Sequence, residues 1–449
     1  MREQGYPPGP PRSLLRLVLY GPGRDPLGFF GGLARQHGDI AHVFMAGEHV
    51  VLLNHPQYVK DVLVTDQRKF VKGRGLERAK RVLGQGLLTS EGATHLRQRR
   101  LMQPAFHKDR IASYAGVMVD HATRAQQRWT SGAPLDLSAE MMRLTLGIVG
   151  ETLLGSDVDA EAATVGRALS DVVASFWLAL LPFFDVIERL PLPVFRRGRE
   201  ARAELDRVIY RLIAERRANP GDRGDLLSML LSAQDEENGG QGMTDQQVRD
   251  EAMTIFLAGH ETTANALAWT WHLIGQSREV EASLHEELDR VLGGRVPAID
   301  DLPELRYTEQ IVTESMRLYP PAWLIGRRAT EPYEVGGYLL PARTLVVMSP
   351  YVLHRDQRFF TEPDRFLPER WTAAFKAALP PFAYFPFGGG ARRCIGESFA
   401  WMELVLVVAT LAQRWRFEPV PGHQVVPQPL VTLRMKHGLR MTPRARSSD

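Results

Sequence analysis

The chain has 449 residues, of which 44% are apolar and 24% charged, and its 55 basic and 52 acidic side chains leave a net charge of +3. These are the proportions of an ordinary globular protein, and so small a net charge excludes an electrostatic case for nucleic acid. Cys394 is the only cysteine, which excludes an internal disulfide and suits a reducing cytosol.

The first eleven residues are proline-rich and lack the apolar core of a signal peptide. Residues 1–25 read as a partly flexible lead-in. Residues 27–36 carry a helical pattern. Residues 40–54 read as a hairpin about Gly47-Glu48, and 57–64 are again helical. The glycine-rich stretch 70–92 shows no clear period, so it reads as an irregular wall or lid of a pocket. From Ala93 a basic helix places His95 and Arg99 on one face at i, i+4 spacing. A solvated basic face would explain that pair equally well.

Helical patterns fill residues 113–231, with breaks near residues 131–134, Pro182, 191–193 and 219–224. The most apolar run, 172–187, is interrupted by Pro182 and Asp185 and falls short of the ~20 residues a spanning helix needs. No membrane span is expected, and a cytoplasmic location is. Trp177 and Phe183-Phe184 fit either core or an apolar entrance loop.

Thr244 opens the longest helix, with Gln247 completing a capping box. It runs without proline to about Gln276, or roughly 45 Å at 1.5 Å per residue, long enough to cross the molecule. Ala258-Gly259-His260-Glu261-Thr262-Thr263 lies in its middle. A central glycine costs about 1 kcal/mol against alanine, and threonine hydroxyls can bond back and open the turn, so this stretch reads as functional. A further helix at 305–319 carries Glu314 and Arg317 at i, i+3 spacing. Strand-like runs follow at 333–335 and 344–349, read as joined by Gly336-Gly337, and short strands fill 416–442.

Several chemistries are excluded by spacing. His260-Glu261 lacks the second histidine of an HExxH site because position 264 is Ala264. No CxxC is present, Gly388-Gly389-Gly390 lacks the lysine of a phosphate loop, and Gly84-Gln85-Gly86 lacks the third glycine of a dinucleotide fingerprint. Cys394 remains. A lone cysteine is most often a small buried hydrophobe. Here a glycine-rich turn entering a helix offers amides and a dipole that favour a thiolate. One thiolate is too few for an iron–sulfur cluster and enough for a haem.

The stretch Phe387-x-x-Gly390-x-Arg392-x-Cys394-x-Gly396 resembles the haem-binding loop of the cytochrome P-450 monooxygenases, position by position. Ala258-Gly259-x-Glu261-Thr262-Thr263 resembles the oxygen-binding helix of that family, Glu314-x-x-Arg317 its E-x-x-R pair, and Pro368-Glu369-Arg370-Trp371 its P-E-R-F loop with tryptophan for phenylalanine. The four motifs occur in the family's order. The N-terminal hairpin, basic helix and glycine-rich loop extend the likeness over nearly the whole chain.

The resemblance implies a mainly α fold with small β-sheets (α+β), one triangular helical prism over residues 1–449. It implies haem b with Cys394 as thiolate ligand and Phe387 and Gly396 beside it. His95, Arg99, Arg327 and Arg392 become donors to haem carboxylates, and Ala258 and Gly259 leave room over the iron. Thr262 and Glu261 become the alcohol and acid that deliver protons during oxygen activation. Glu314, Arg317 and Arg370 lock the cysteine loop. The expected pocket residues are Leu87, Phe176, Leu180, Ala258, Thr262, Ala322, Trp323, Leu324 and Thr432, which are nearly all apolar. That suits a fatty acid, terpenoid or macrolide-like substrate, with Lys72 or Arg74 available to anchor a carboxylate.

Electrons are expected from a separate ferredoxin or flavodoxin with its NAD(P)H-dependent reductase. Arg97, Arg100, Lys108 and Arg393 are candidates to dock this acidic partner, and the enzyme itself is expected to be a monomer. The rival readings are a haem-thiolate gas or ligand sensor, which needs no acid–alcohol pair, and a non-catalytic binding protein, which needs no Cys394.

Overall fold

The computed structural model describes residues 6–11, 25–45, 47–155, 166, 168, 171, 192–235 and 240–446. Phe176, Leu180, Trp177 and Phe183-Phe184 lie outside the described residues, as does most of the N-terminal lead-in.

The longest described helix, Asp245–Ile274, starts at Thr244, where the capping box with Gln247 is formed in both directions. Most of its residues are buried on all sides by other helices. Leu137–Leu154 packs along it, and Pro193–Ala218, Arg306–Leu318 and Glu397–Ala412 also touch it. This explains why its sequence lacks a simple amphipathic stripe: a helix buried all round has no face to leave polar. The main apolar core follows, built from these helices together with Ala115–Gln126.

The largest sheet has five strands. Ile40–Met45 pairs with Glu48–Leu53 as an antiparallel hairpin with Ile40 opposite Leu53. Leu345–Met348 lies parallel to the second strand of that hairpin and antiparallel to Ile325–Ala329, which in turn pairs with Phe70–Lys72. A small tail hairpin, Pro427–Pro429 with Leu433–Met435, returns to the central helix. The result is the mainly α architecture with small sheets that the resemblance implies.

Two local readings differ. Residues 70–92 are not irregular throughout: they form the strand Phe70–Lys72 and the helix Arg74–Leu83, and only 84–91 is loop. Glycines bracketing that helix hid its pattern. Gly336-Gly337 joins Tyr333–Val335 to Tyr338–Leu340 in a two-stranded ladder of their own, while Leu345–Met348 belongs to the larger sheet. Among the described residues no helix is long and apolar enough to cross a membrane.

Candidate active site

After its exposed first turn the central helix is largely buried, with its main opening at its middle. Ala258 is exposed, and Leu257, Gly259 and Thr262 are partly exposed, between buried Phe256 and Thr263. Ala258 and Thr262 stand four apart on one face, which therefore borders open space inside the helical layer. The hydroxyl of Thr262 donates to the Ala258 carbonyl (2.6 Å) and that of Thr263 to the Gly259 carbonyl (3.0 Å), so both threonines bond back to the preceding turn. A Cβ on Gly259 would meet Val149 Cγ2 at 3.1 Å, so the glycine also lets the adjacent helix approach closely.

Glu261 does not share the exposed face. Its carboxylate is buried, accepts from Thr432 Oγ1, and pairs with Arg434 Nε at 2.7 Å. Asn265 Nδ2 donates to the same Thr432 oxygen (3.1 Å), and Trp269 Nε1 donates to the Leu433 carbonyl (2.9 Å). Residues 261, 265 and 269 thus clip the tail hairpin along one side of the helix.

The cysteine loop is shaped by its glycines. Gly390 has φ +66°, and a Cβ there would sit 1.9 Å from the Leu63 carbonyl oxygen. Only glycine allows this approach. The Cys394 amide donates to the Phe387 carbonyl at 3.0 Å, and Phe387 leans on Trp401 with ring centroids 5.6 Å apart. Gly396 caps the apolar helix Glu397–Ala412. Cys394 is exposed by surface area, yet burial is the main cause that raises its thiol pKa, against the Gly396 amide, Arg99 and Arg393. An exposed sulfur in crowded surroundings is the floor of a cleft. Desolvation there outweighs the amides and dipole that favour a thiolate, so the anion needs a bound cation to hold it.

Cationic side chains collect beside this floor. Arg392 donates to the Ser90 carbonyl (2.7 Å) and to Glu91. Burial, then the charge of Arg392, lowers Lys72 to about 7, His95 to about 3 and Arg327 to about 10. Arg99 lies close enough to Cys394 to be influenced by it and donates to the Arg393 carbonyl (2.8 Å). Burial and neighbouring positive charge lower Lys72, His95, Arg327 and Arg392, and burial lowers Arg99, so these five basic groups with the single carboxylate of Glu91 form a site short of negative charge. The exposed sulfur, the open face of the central helix and this cationic rim fit a flat dianionic macrocycle carrying a thiolate-bound metal.

Behind the loop, Glu314 is a fully buried hub. It accepts from Arg317 Nε (2.8 Å) and Nη2 (2.9 Å), Arg370 Nε (2.9 Å), the Leu367 amide (3.0 Å) and Trp371 Nε1 (2.9 Å). Tryptophan in place of the family's phenylalanine therefore supplies an additional donor. Arg317 also donates to the carbonyls of His354 (2.8 Å) and Pro363 (2.7 Å), and His354 Nε2 accepts from the Phe385 amide (3.0 Å). The hub thus reaches the start of the cysteine loop.

The expected pocket residues separate into two groups. Ala322 and Leu324 are partly exposed, while Leu87, Trp323 and Thr432 are buried. Leu87 packs in the core, and its neighbour Leu88 carries the exposed surface, at 40%. Trp323 donates to the Leu430 carbonyl (2.9 Å) and supports the tail hairpin instead of facing open space. Lys72 is not free for a substrate carboxylate: its ammonium donates to the carbonyls of Leu87 (3.1 Å), Leu88 and Ser90 (3.3 Å), and Arg74 leans toward Glu48 (3.9 Å). Among the expected docking residues, Arg97 and Arg100 engage buried Asp235 and Arg393 engages Glu397, so Lys108 is left as an exposed cation. Sequence reasoning also passed over Arg249-Asp250-Glu251, three consecutive ionisable residues buried in the central helix. Three charges together inside a 30-residue buried helix were the available signal.

The comparisons agree with this geometry. The family model described as Cytochrome P450 matches residues 7–441. Cyclooctatin synthase of Streptomyces melanosporofaciens is 43% identical over 94% of this chain and 92% of that protein. The cyclooctat-9-en-7-ol 5-monooxygenase of the same organism is 40% identical over 89% and 86%. Pentalenene oxygenase of Streptomyces avermitilis is 35% identical over 94% of each chain. Among solved structures, the cytochrome P450DA heme domain superposes with a TM-score of 0.89 at 26% identity, covering 99% of both chains. The chain belongs to the cytochrome P450 family and is a haem-dependent monooxygenase that acts on a hydrophobic substrate with electrons from redox partners.

Proposed function

We propose that this enzyme inserts one oxygen atom from O2 into a terpenoid. The observation that carries this reading is the apolar opening at Ala258 in the buried middle of the central helix, in a chain whose single cysteine, Cys394, is also exposed. Among the described residues, Lys72, the expected anchor for a substrate carboxylate, is engaged by backbone carbonyls instead. The two monooxygenase relatives named for cyclooctat-9-en-7-ol and pentalenene support a polycyclic hydrocarbon skeleton over a fatty acid or macrolide.

A bound haem would supply oxygen activation, and the Cys394 thiolate would be its protein ligand and donate electron density to it. His95, Arg99, Arg327 and Arg392 would hold its carboxylates by charge-assisted hydrogen bonds. Phe387 covers the sulfur side, and the amide of Gly396 tempers the charge on Sγ. On the open face the Thr262 hydroxyl, now donating to the Ala258 carbonyl, turns to present a proton. Once its carboxylate leaves Thr432 and Arg434, Glu261 would take a proton from water and pass it on to Thr262. Ala258 and Leu324 pack against the substrate skeleton and exclude water.

The partner is a ferredoxin or flavodoxin with an NAD(P)H-dependent reductase, meeting the region of the exposed Leu96 and Lys108. The protein works as a cytoplasmic monomer. The carbon monoxide complex of the reduced protein should show the strongly red-shifted Soret band of thiolate ligation. Pentalenene and cyclooctat-9-en-7-ol should shift the spin state, and 18O2 should label the product. A normal red-shifted band with neither terpenoid binding nor oxidation would overturn the substrate class while leaving the reaction class intact.

A further inference from the structure

Loop 84–91 crosses from the central helix to the cysteine loop and is held at both ends. At one end the Gln85 amide donates to Asp250 Oδ2 and the Leu87 amide to Glu251 Oε2, both at 2.8 Å. At the other, the Ser90 carbonyl accepts from Arg392, two residues before Cys394. Between them Lys72 gathers the carbonyls of Leu87, Leu88 and Ser90 from below. The Thr89 hydroxyl closes the turn on the Gly84 carbonyl (2.7 Å), and Gln98 holds the Gln85 carbonyl (2.6 Å).

The approach to the helix is possible only without side chains. A Cβ on Gly86 would meet Thr254 Oγ1 at 2.2 Å and the Asp250 carbonyl oxygen at 2.5 Å. Glu251 is fully buried, and its Oε1 has no hydrogen-bond partner among the described residues. A buried carboxyl group with one atom unpaired is costly, so its remaining bond, to the Leu87 amide, is the interaction to explain. Glu251 precedes Ala258 by seven residues and shares its helix face. The apolar side chain this loop exposes is Leu88, while Gln85 is its exposed polar one.

We propose that Asp250 and Glu251 are positioning residues for substrate selection, docking the backbone of loop 84–88 onto the central helix and so fixing where Leu88 stands at the mouth of the cleft. This rests on the reading of the Ala258–Thr262 face and Cys394 as the walls of a haem and substrate cleft. Neither acid touches substrate. They act through two backbone amides, which makes the loop's position independent of its own side chains.

The test uses the haem-loaded full chain in four forms: parent, Glu251→Leu, Glu251→Gln and Gly86→Ala. Hydrogen exchange is read at the Gln85 and Leu87 amides. Cleft shape is read from the ratio of imidazole to 4-phenylimidazole affinities in Soret titrations. Glu251→Leu removes the acceptor, so the Leu87 amide should exchange about tenfold faster, and 4-phenylimidazole should weaken roughly fivefold relative to imidazole. Gly86→Ala pushes the loop off the helix from the other side and should give the same ratio change. Glu251→Gln retains an acceptor oxygen and should restore both readings. An unchanged affinity ratio despite faster exchange, or unchanged exchange in Glu251→Leu and Gly86→Ala, overturns the proposal. If the parent itself gives no Soret shift with imidazole, the haem cleft reading fails first and takes this one with it.

Discussion

Replacing Trp371 with phenylalanine isolates one bond of the Glu314 hub. Trp371 is buried at 3% exposure, and its indole donates to Glu314 Oε2 at 2.9 Å. A hydrogen bond to a charged group is worth about 1.5–3 kcal/mol. Glu314 keeps two donors from Arg317, one from Arg370 and the Leu367 amide, so the carboxylate is not orphaned and the cost falls near the low end. The phenyl ring retains part of the packing against Tyr384, now 4.7 Å between centroids, and Phe375 at 5.6 Å. Adding a small loss of contact gives about 2 kcal/mol, or a midpoint lowered by roughly 2–4 °C in a chain of this size. Arg317→Ala removes a partner with no exposed surface and should cost about 3–5 kcal/mol. The assay is thermal unfolding followed both by far-UV dichroism and by the Soret band. Trp371→Phe should lower both midpoints together and keep full haem content, whereas Arg317→Ala should lose haem. If Trp371→Phe matches the parent within about 0.5 kcal/mol, the indole bond is not a working part of the hub.

Other outcomes follow from the same geometry. Thr262→Ala should still bind substrate and consume reductant but yield product for a smaller share of it; unchanged product per NAD(P)H would remove Thr262 from proton delivery. Burial raises the Glu251 carboxyl from 4.5 to about 8, with the neighbouring Asp250 adding to the rise and Lys72 and the Leu87 amide opposing it. Between those values the folded state keeps a proton that the unfolded state has lost. Its contribution is therefore complete below pH 4.5 and gone above about pH 8, falling by about 1.4 kcal/mol per pH unit between them. Glu251→Gln should flatten the stability profile in that window by this slope, and identical slopes in denaturant titrations would refute the burial argument. Arg392→Gln removes the residue that most perturbs its cationic neighbours and should weaken haem retention measured by transfer to apomyoglobin; unaltered transfer rates would show that the cationic rim does not hold the carboxylates.

Much of the frame could be read before any coordinates. Thr244 and Gln247 define the start of the central helix because capping is local chemistry, and the hairpin at 40–54 follows from alternation about a glycine turn. The motif around Cys394 located the cleft floor for the same reason: positive-φ glycines declare a turn wherever they occur. What escaped was non-local. Glu261 is adjacent to Thr262 in sequence but faces the tail hairpin, a contact set by residues 171 and 173 positions away. Leu87 and Leu88 are indistinguishable by composition, and only the bond from the Leu87 amide to Glu251 decides which one turns inward. Arg97 and Arg100 looked like a docking surface until Asp235, on a distant two-residue strand, claimed both.

The clip between the tail hairpin and residues 261, 265 and 269 has a consequence for engineering. Residues near 430–434 are an obvious target for a library meant to change substrate preference. Thr432 and Arg434 both hold the carboxylate of Glu261, so on the proposed role of Glu261 such a library would alter proton supply as well as the hairpin. Substitutions at 432 or 434 should be strongly epistatic with those at 261, and improved variants should arise in pairs that cross from the hairpin to the helix.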